Sequence, residues 1–378
     1  MVGAGIVGAA TAFHARRAGI RPLALERRRL PASMTTAVAA GGYRLQLDHR
    51  EELDLVQRTL RLIEGFADET RQTEHDPSQV RAGYLWLTRD PATAERQRGL
   101  VERQRSWGVD GVELLGRDEL RERFPWVDES VMGARFRQAD GLIDPRAIAL
   151  GMLCDVDTAV GVGVTGFEVS GGRLAAVLTD HGRVSCERAV IACGPLSGEV
   201  ARLAGVSLPV EAVRRQRVVV WGGPPLPAGA PMTIDEDTTT HFRPTPAGAY
   251  LLHPDASETP AEPVEAVQAD PAFAGRLLDP DSPIAMARSV PLWGDVWRSS
   301  AQWVVQAGQY TMTPDHWPLI GETAVPGLNV NTGYSGHGIM LSPAGSRRLA
   351  DLFAGDLAPA DNIFRPDREP RPRPPETL

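Results

Sequence analysis

Apolar and polar positions follow two periods along this chain, and its first thirty residues carry both. After Met1-Val2-Gly3-Ala4-Gly5-Ile6-Val7-Gly8, the residues Ala9, Ala10, Ala12, Phe13 and Ala15 recur at helical spacing as far as Gly19, a helix stop. Ile20 to Glu26 then reads as an apolar strand ending in an acid. From Glu51 to Asp68 the positions Leu53, Val56, Leu60, Ile63 and Phe66 mark a half-exposed helix, and Tyr84-Leu85-Trp86-Leu87 a short strand. Ala92 to Arg123 is charged and helical in pattern, and Asp140-Gly141-Leu142-Ile143-Asp144-Pro145 is a turn leading into another helix. Val162 to Gly194 alternates strands with glycine-rich turns and closes on Ala189-Val190-Ile191-Ala192-Cys193-Gly194, a buried strand meeting a glycine. Between Val213 and Trp303, strand-like pieces such as Arg217 to Trp221 and Tyr250 to Leu252 are separated by proline-rich loops, which predicts an antiparallel second domain. A mobile stretch is expected from Ala256 to Pro283. After Asp361, Arg365-Pro366 and Arg371-Pro372-Arg373-Pro374-Pro375 predict a disordered tail over 361–378. No internal repeat is visible.

The opening glycines have separate physical roles. Gly3 permits a tight turn, Gly5 lets the backbone approach a pyrophosphate, and Gly8 lets helix and strand pack closely. The helix N-terminus, with Ile6 and Val7, then faces the phosphates. Glu26 lies about twenty residues beyond the glycines, where a carboxylate accepts hydrogen bonds from ribose hydroxyls and repels a 2′-phosphate. Glycines, helix, stop and terminal acid together predict a dinucleotide site. Only Met1 and Val2 stand where the first strand of such a unit is expected, as though the chain began inside that strand.

Composition narrows the chemistry. At 378 residues the chain exceeds the size of a single core, favouring two domains or one large interleaved α/β unit. A net charge of -8 with no basic patch argues against nucleic acid. All 40 of its basic residues other than histidine are arginine. Without lysine, neither a Walker-type phosphate loop nor a pyridoxal Schiff base can form. Cys154, Cys186 and Cys193 are scattered without metal-ligand or disulfide spacing, so no metal site is expected and a cytoplasmic setting fits. No apolar run approaches the roughly 20 residues of a membrane span.

The most specific stretch is near the end. Tyr310-Thr311-Met312-Thr313-Pro314-Asp315-His316-Trp317-Pro318-Leu319-Ile320-Gly321 is followed, after a turn, by Asn329-Val330-Asn331-Thr332-Gly333-Tyr334-Ser335-Gly336-His337-Gly338-Ile339-Met340, and then by a helix from Ala344 to Ala354. Strand, glycine turn and helix start form a second dipole-bearing N-terminus, able to stabilise negative charge on a reduced flavin ring.

These residues, with the opening glycines, Asp140 to Pro145 and Ala192 to Pro195, resemble the D-amino-acid oxidase superfamily of FAD-dependent oxidoreductases, nearest its sarcosine oxidase and dimethylglycine dehydrogenase branch. The resemblance implies an α/β fold, with a Rossmann-like FAD-binding domain over 1–80, 136–205 and 300–360 interleaved with an α+β substrate domain over 81–135 and 206–299 that carries an antiparallel sheet. It implies that Ser33-Met34-Thr35-Thr36 meets the flavin ring, and that the cofactor also lies against Arg27, Gly41, Gly194, Gly308, Gly333, Ser335, Gly336, His337, Gly338, Ile339 and Met340. Arg44, within Gly41-Gly42-Tyr43-Arg44-Leu45-Gln46, is the expected clamp for a substrate carboxylate, since a guanidinium fork matches a carboxylate. His241 and Arg243 resemble the family's substrate-side strand, and Tyr310 and His337 complete the expected catalytic set. Gly308 replaces the branch's tethering cysteine and the histidine tether near Ser33 is absent, so FAD is expected to be non-covalent. The lysine that activates oxygen falls near Leu251, a carboxylate-binding lysine is replaced by Met340, and Gly151 to Gly161 is shortened where the family has a complete helix before the next strand.

The function so implied is oxidation of a secondary amine or amino acid of the N-methylated, glycine or proline type, by hydride transfer to flavin N5, with a dehydrogenase favoured over an oxidase. The imine product hydrolyses, and the electron acceptor is open. A flavin-binding subunit that needs partner subunits is the alternative, and an NAD-dependent dehydrogenase a weaker third.

Overall fold

The computed structural model describes residues 1–254, 259–299 and 301–371. Its nucleotide-side sheet is assembled around the short start of the chain. Val2 bridges Leu25 on one side and Ile191 on the other, both in parallel. Four backbone bonds fix it there: Gly3 N–H to Leu25 O and Leu25 N–H to Met1 O at 2.8 Å, Val2 N–H to Val190 O at 2.8 Å, and Ala192 N–H to Val2 O at 2.9 Å. Two residues therefore join the pair Leu23–Glu26 and Asp157–Val160 to the group Ala189–Ile191, Leu328–Thr332 and Leu319–Glu322. Within Gly151 to Gly161 the helix Pro145–Leu153 ends and, after residues 154–156, the strand Asp157–Val160 follows.

Alternation along these strands builds three layers. Ala24 and Val190 point to the helices Ile6–Arg17, Arg50–Glu64, Pro145–Leu153 and Gly338–Ala354. Leu25 and Ile191 point the other way, against Phe167, Leu174 and Val177 of the antiparallel meander Val164–Ser170, Arg173–Thr179 and Gly182–Ser185. The expected helix over 51–68 is broken at Gly65, and a short second helix, Phe66–Thr70, follows.

The second sheet has nine strands, in the order Pro260–Ala261, Glu211–Trp221, Gly248–Leu252, His241–Thr245, Met232–Asp235, Tyr84–Thr88, Gly133–Arg137 and Val112–Gly116, with Gln302–Met312 also paired to Glu211–Trp221. All pairings are antiparallel except that of Met232–Asp235 with Tyr84–Thr88. Gln302–Met312, expected with the FAD-binding part, pairs over its whole length with Glu211–Trp221, and Gly133–Arg137 straddles the expected boundary at 135. One face carries the core of Leu85, Leu87, Phe136, Val218, Phe242, Leu251 and Trp293. The other presents Tyr84, Trp86, Met232, Ile234, Tyr250 and Leu252 toward the nucleotide side.

Three sequence expectations are corrected. The charged run from Ala92 to Arg123 is helical only in part: the strand Val112–Gly116 interrupts it, stabilised by pairing with Gly133–Arg137. The stretch from Ala256 to Pro283 is tied down where it is described, although Ala256 itself lies outside the described residues. Phe273, Leu277 and Leu278 of the helix Ala272–Leu278 are buried, and Gln309 bonds both Glu262 O and Val264 N–H. Residues 361–371 of the expected disordered tail are packed as well, because Phe364 is 1% exposed against Trp317 and Arg368 pairs with Asp315. Residues 372–378 lie outside the described residues. No helix among the described residues is long and apolar enough to cross a membrane.

Candidate active site

A continuous cleft runs between the two sheets, and its first wall is the turn after Val2. Gly3 has φ +97°, and a Cβ there would sit 2.7 Å from Ala192 O. A Cβ on Gly8 would fall 1.9 Å from Gly3 O, so that glycine serves the close packing of helix on sheet and lies off the cleft. Gly3, Gly5, Ile6 and Val7 line it. Glu26 closes this end: one carboxylate oxygen accepts the Ala4 N–H at 3.0 Å and the other the Arg28 N–H at 2.9 Å, leaving a lone pair on each for hydroxyl donors. Arg27 lines the same end and forms an ion pair with Glu265. Cys193 lies between the turns, donating to Val2 O at 3.1 Å, and burial pushes its thiol up to about 12, which makes it inert.

Farther along, Ser33, Thr35 and Thr36 line the cleft. Thr36 Oγ1 accepts the Ile6 N–H at 3.2 Å, and Thr35 donates to Gln309 O at 3.0 Å, pinning the short helix Thr35–Val38 between helix start and strand. Gly308 lies beneath it, where a Cβ would meet Val38 at 2.7 Å. Gly194, Gly333, Ser335, Gly336, His337, Gly338, Ile339 and Met340 form the opposite wall. Gly336 has φ +95° and would bring a Cβ to 2.7 Å from the Tyr310 ring, so the turn and that tyrosine are packed together. The helix expected from Ala344 begins at Gly338, with Pro343 inside it, and so presents its N-terminus to the cleft directly after the turn. His337 caps that helix and places Nδ1 3.3 Å from Glu52 Oε1. Asp315 lies elsewhere, holding the Arg368 guanidinium through both oxygens at 2.7 and 3.1 Å.

The far end gathers Arg44, His241 and Tyr310, with Gly41 at its edge. Gly41 has φ +71°, and a Cβ there would meet Ile143 O at 2.3 Å. Arg44 is 9% exposed, donates from Nε to Gln46 O at 3.3 Å, and stands 5.3 Å from the Trp86 ring centroid. Its segment is held by Asp140, which accepts Leu45 N–H at 2.9 Å, Gln46 Nε2 at 3.0 Å and Arg137 Nη1 at 2.7 Å. Burial lowers the pKa of His241 to about 4, with nearby His253 and Arg44 adding to the shift. The ring is therefore neutral near pH 7, and Nδ1, 3.0 Å from Thr239 O, is its protonated nitrogen, leaving Nε2 an acceptor. Burial raises the Tyr310 phenol, which stays protonated.

Arg243 is the exception among the expected substrate-side residues. It lines a neighbouring cleft rather than this one, with its guanidinium 5.2 Å from the Tyr250 ring. Leu251, the position nearest the family's oxygen-activating lysine, faces the opposite side of the sheet into the core, while Tyr250 and Leu252 face the clefts. The cleft also takes in Tyr84, Trp86, Arg215, Arg217, His253 and Gln306, which sequence reasoning missed. Their signal was the two-residue period: Tyr84 with Trp86, and Arg215 with Arg217, share one face of their strands.

The family model described as DAO, FAD dependent oxidoreductase, matches residues 1–352. This chain belongs to that family. Relatives include a glycine oxidase of Pseudomonas aeruginosa, 26% identical over 94% of this chain and 94% of its own length. A mitochondrial sarcosine dehydrogenase of Mus musculus is 24% identical over 93% of this chain and 39% of its own length. The fold matches L-proline dehydrogenase from P. horikoshii with a TM-score of 0.82 at 22% identity, covering 97% of this chain and 95% of that one.

The DAO family is FAD-dependent, and the residues present fit such a cofactor. Three features carry the fit: crowding at Gly3 that admits only glycine, a helix start opening on the cleft, and a terminal carboxylate with lone pairs to spare.

Proposed function

We propose that this chain oxidises a secondary amine or amino acid, of the N-methylated, glycine or proline type, as an FAD-dependent dehydrogenase with non-covalently bound cofactor. The observation that carries the reading is the continuity of one cleft from Glu26, past the starts of both helices, to Arg44 and His241. Glu26 would hold the ribose hydroxyls, the backbone at Gly5 to Val7 the pyrophosphate, and the segments Ser33 to Thr36 and Gly333 to Met340 the ring. The chemistry supplied by bound FAD is two-electron oxidation of a C–N bond to an imine, which water then hydrolyses.

The chain's own residues orient and desolvate. Arg44, buried and braced on Gln46 O, would present its guanidinium to a substrate carboxylate. Neutral His241 can accept an amine N–H at Nε2 and so favours an uncharged amine. The Tyr310 hydroxyl donates at the same end, and the turn at Gly336 with the Gly338 helix start places positive backbone dipoles beside the ring site. Gly308 leaves no thiol to tether a flavin, and a chain without lysine supports an acceptor other than oxygen. Three free cysteines support a cytoplasmic setting.

Purified protein is expected to be yellow, to release its flavin into the supernatant on acid precipitation, and to bleach anaerobically with an N-methylated amino acid, glycine or proline. Arg44→Met should lower kcat/KM for the amino acid about 100-fold, chiefly through KM, while the flavin content stays constant. A colourless protein that takes up no FAD refutes the reading, as does a flavoprotein bleached by no amine. Bleaching without turnover on an artificial acceptor would instead favour a subunit that passes electrons to a partner.

A further inference from the structure

The amine-oxidation cleft has a side branch that the proposed reaction does not use. The two share a wall of Thr36, Ala39, Ala40 and Arg217, and the branch continues along the same face of the nine-stranded sheet past Arg243 and Tyr250. Strand alternation puts these side chains there: Val218, Phe242 and Leu251 point to the core, so their neighbours Arg217, Arg243 and Tyr250 point to the branch. Arg243 pairs directly with Tyr250 across the ladder, and both arginines converge on that ring, Arg217 at 4.1 Å and Arg243 at 5.2 Å from its centroid.

Two guanidinium groups thus meet at one aromatic ring, and neither has a carboxylate within salt-bridge distance among the described residues. Arg217 commits Nε to Gln306 and Nη1 to Ala39 O, each at 2.9 Å. Arg243 has its Nε buried without a hydrogen-bond partner. Burial, and for Arg217 the nearby charge of Arg243, lowers the pKa of both groups, an unfavourable state that an anion would relieve. Asp144, the carboxylate among the described residues whose charge acts on Arg243, is exposed and already caps the helix Pro145–Leu153, accepting Arg146 N–H at 2.8 Å and Ala147 N–H at 3.1 Å. A carboxylate is the ligand that fits, because its two oxygens match the guanidinium fork.

We propose that Arg217 and Arg243 bind a second carboxylate of the substrate, so that the substrate class is a dicarboxylic amine. The near carboxylate would lie on Arg44 and the far one in the branch, reached past the small side chains of Ala39 and Ala40. This rests on the amine-oxidation reading and narrows it.

The test compares N-methylglutamate with N-methylglutamine, equal in length and differing in the far charge. The diacid should be preferred about 10- to 100-fold in kcat/KM, and Arg243→Gln should bring that preference close to one, with Arg243→Lys retaining part of it. A readout independent of turnover is calorimetric binding of glutarate against butyrate: glutarate should bind, compete with the amine, and weaken at least 10-fold in Arg243→Gln. Equal use of the two amines by the parent protein overturns the proposal, as does an Arg243→Gln variant that slows both equally. Glutarate that binds without competing would mark an independent anion site and overturn it too. Bleaching by neither amine, nor by glycine or proline, would defeat amine oxidation itself, whereas bleaching by neutral amines with no diacid advantage defeats only the dicarboxylate.

Discussion

Replacing Asp140 with alanine tests how the far end of the cleft is held together. The carboxylate is fully buried and receives three donors: Leu45 N–H, Gln46 Nε2 and the Arg137 guanidinium, all within 3.0 Å. Burial pushes its pKa up while Arg137 pulls it down. Removing it leaves a guanidinium that is only 7% exposed with Asp110 alone, whose carbonyl accepts Nε at 2.9 Å and whose carboxylate, 97% exposed, lies 3.4 Å from Nη2, and breaking such a buried pair costs about 3–5 kcal/mol. The two neutral donors lose a charged acceptor as well, but both losses fall on the same site and are not additive. A total near 5 kcal/mol is expected. With an unfolding entropy of about 2 cal/mol/K per residue over 378 residues, that corresponds to a fall in Tm of roughly 6 °C by calorimetry of the FAD-saturated protein. Because Arg44 Nε rests on Gln46 O, the same change should raise KM for an amino-acid substrate about 10-fold. The double variant Arg137→Met, Asp140→Leu should recover more than half of the lost stability, since it removes both charges together. A Tm within 2 °C of the parent, or a double variant no better than the single, would refute the buried ion pair as the brace.

Gly8→Ala should cost flavin before it costs anything else, because the added methyl would fall 1.9 Å from the Gly3 carbonyl oxygen and push the helix start away from the turn; flavin content per protein should drop at least 10-fold, and a normally yellow variant would contradict this. His14 gives a pH dependence of known sign: burial and nearby Arg347 hold its folded pKa down at about 3, below the 6.5 of the unfolded chain. Its contribution is therefore complete above pH 6.5 and is lost as pH falls toward 3. Between pH 7 and 5 it should cost about 2 kcal/mol, and His14→Leu should flatten that part of the stability profile measured by urea unfolding.

What the sequence disclosed and what it hid divide along a physical line. A glycine reports a backbone constraint at its own position, so Gly3, Gly8 and Gly336 could be read without knowing what lies opposite, and each has a neighbour that excludes a side chain. The helical run after Gly5 was legible for the same local reason. Strand residues carry no such mark, because their meaning depends on which face turns inward, and that is fixed by pairing with strands far away in the chain. Arg217 to Trp221 reads as a strand without saying which side chains turn inward, and only the register of Glu211–Trp221 with Gln302–Met312 and Gly248–Leu252 sends Val218 to the core and Arg217 to the cleft. Arg243 differs for the same cause: its neighbour His241 lines the flavin cleft, and two residues along the same strand face are enough to carry Arg243 into the branch.

The tail misled for the opposite reason. Its prolines and charges have the composition of a chain unable to build a core, yet residues 361–371 borrow one: Phe364 enters a core already closed by Trp317, and Arg368 meets an Asp315 already fixed by its own turn. Composition measures what a segment can bury by itself, whereas ordering here depends on what the rest of the molecule leaves open. That Asp315 lies within the most specific motif of the chain makes the point sharper. A distinctive sequence marked the residue, and only the geometry separates its part in holding the tail from the parts Tyr310 and Gly336 play in the cleft.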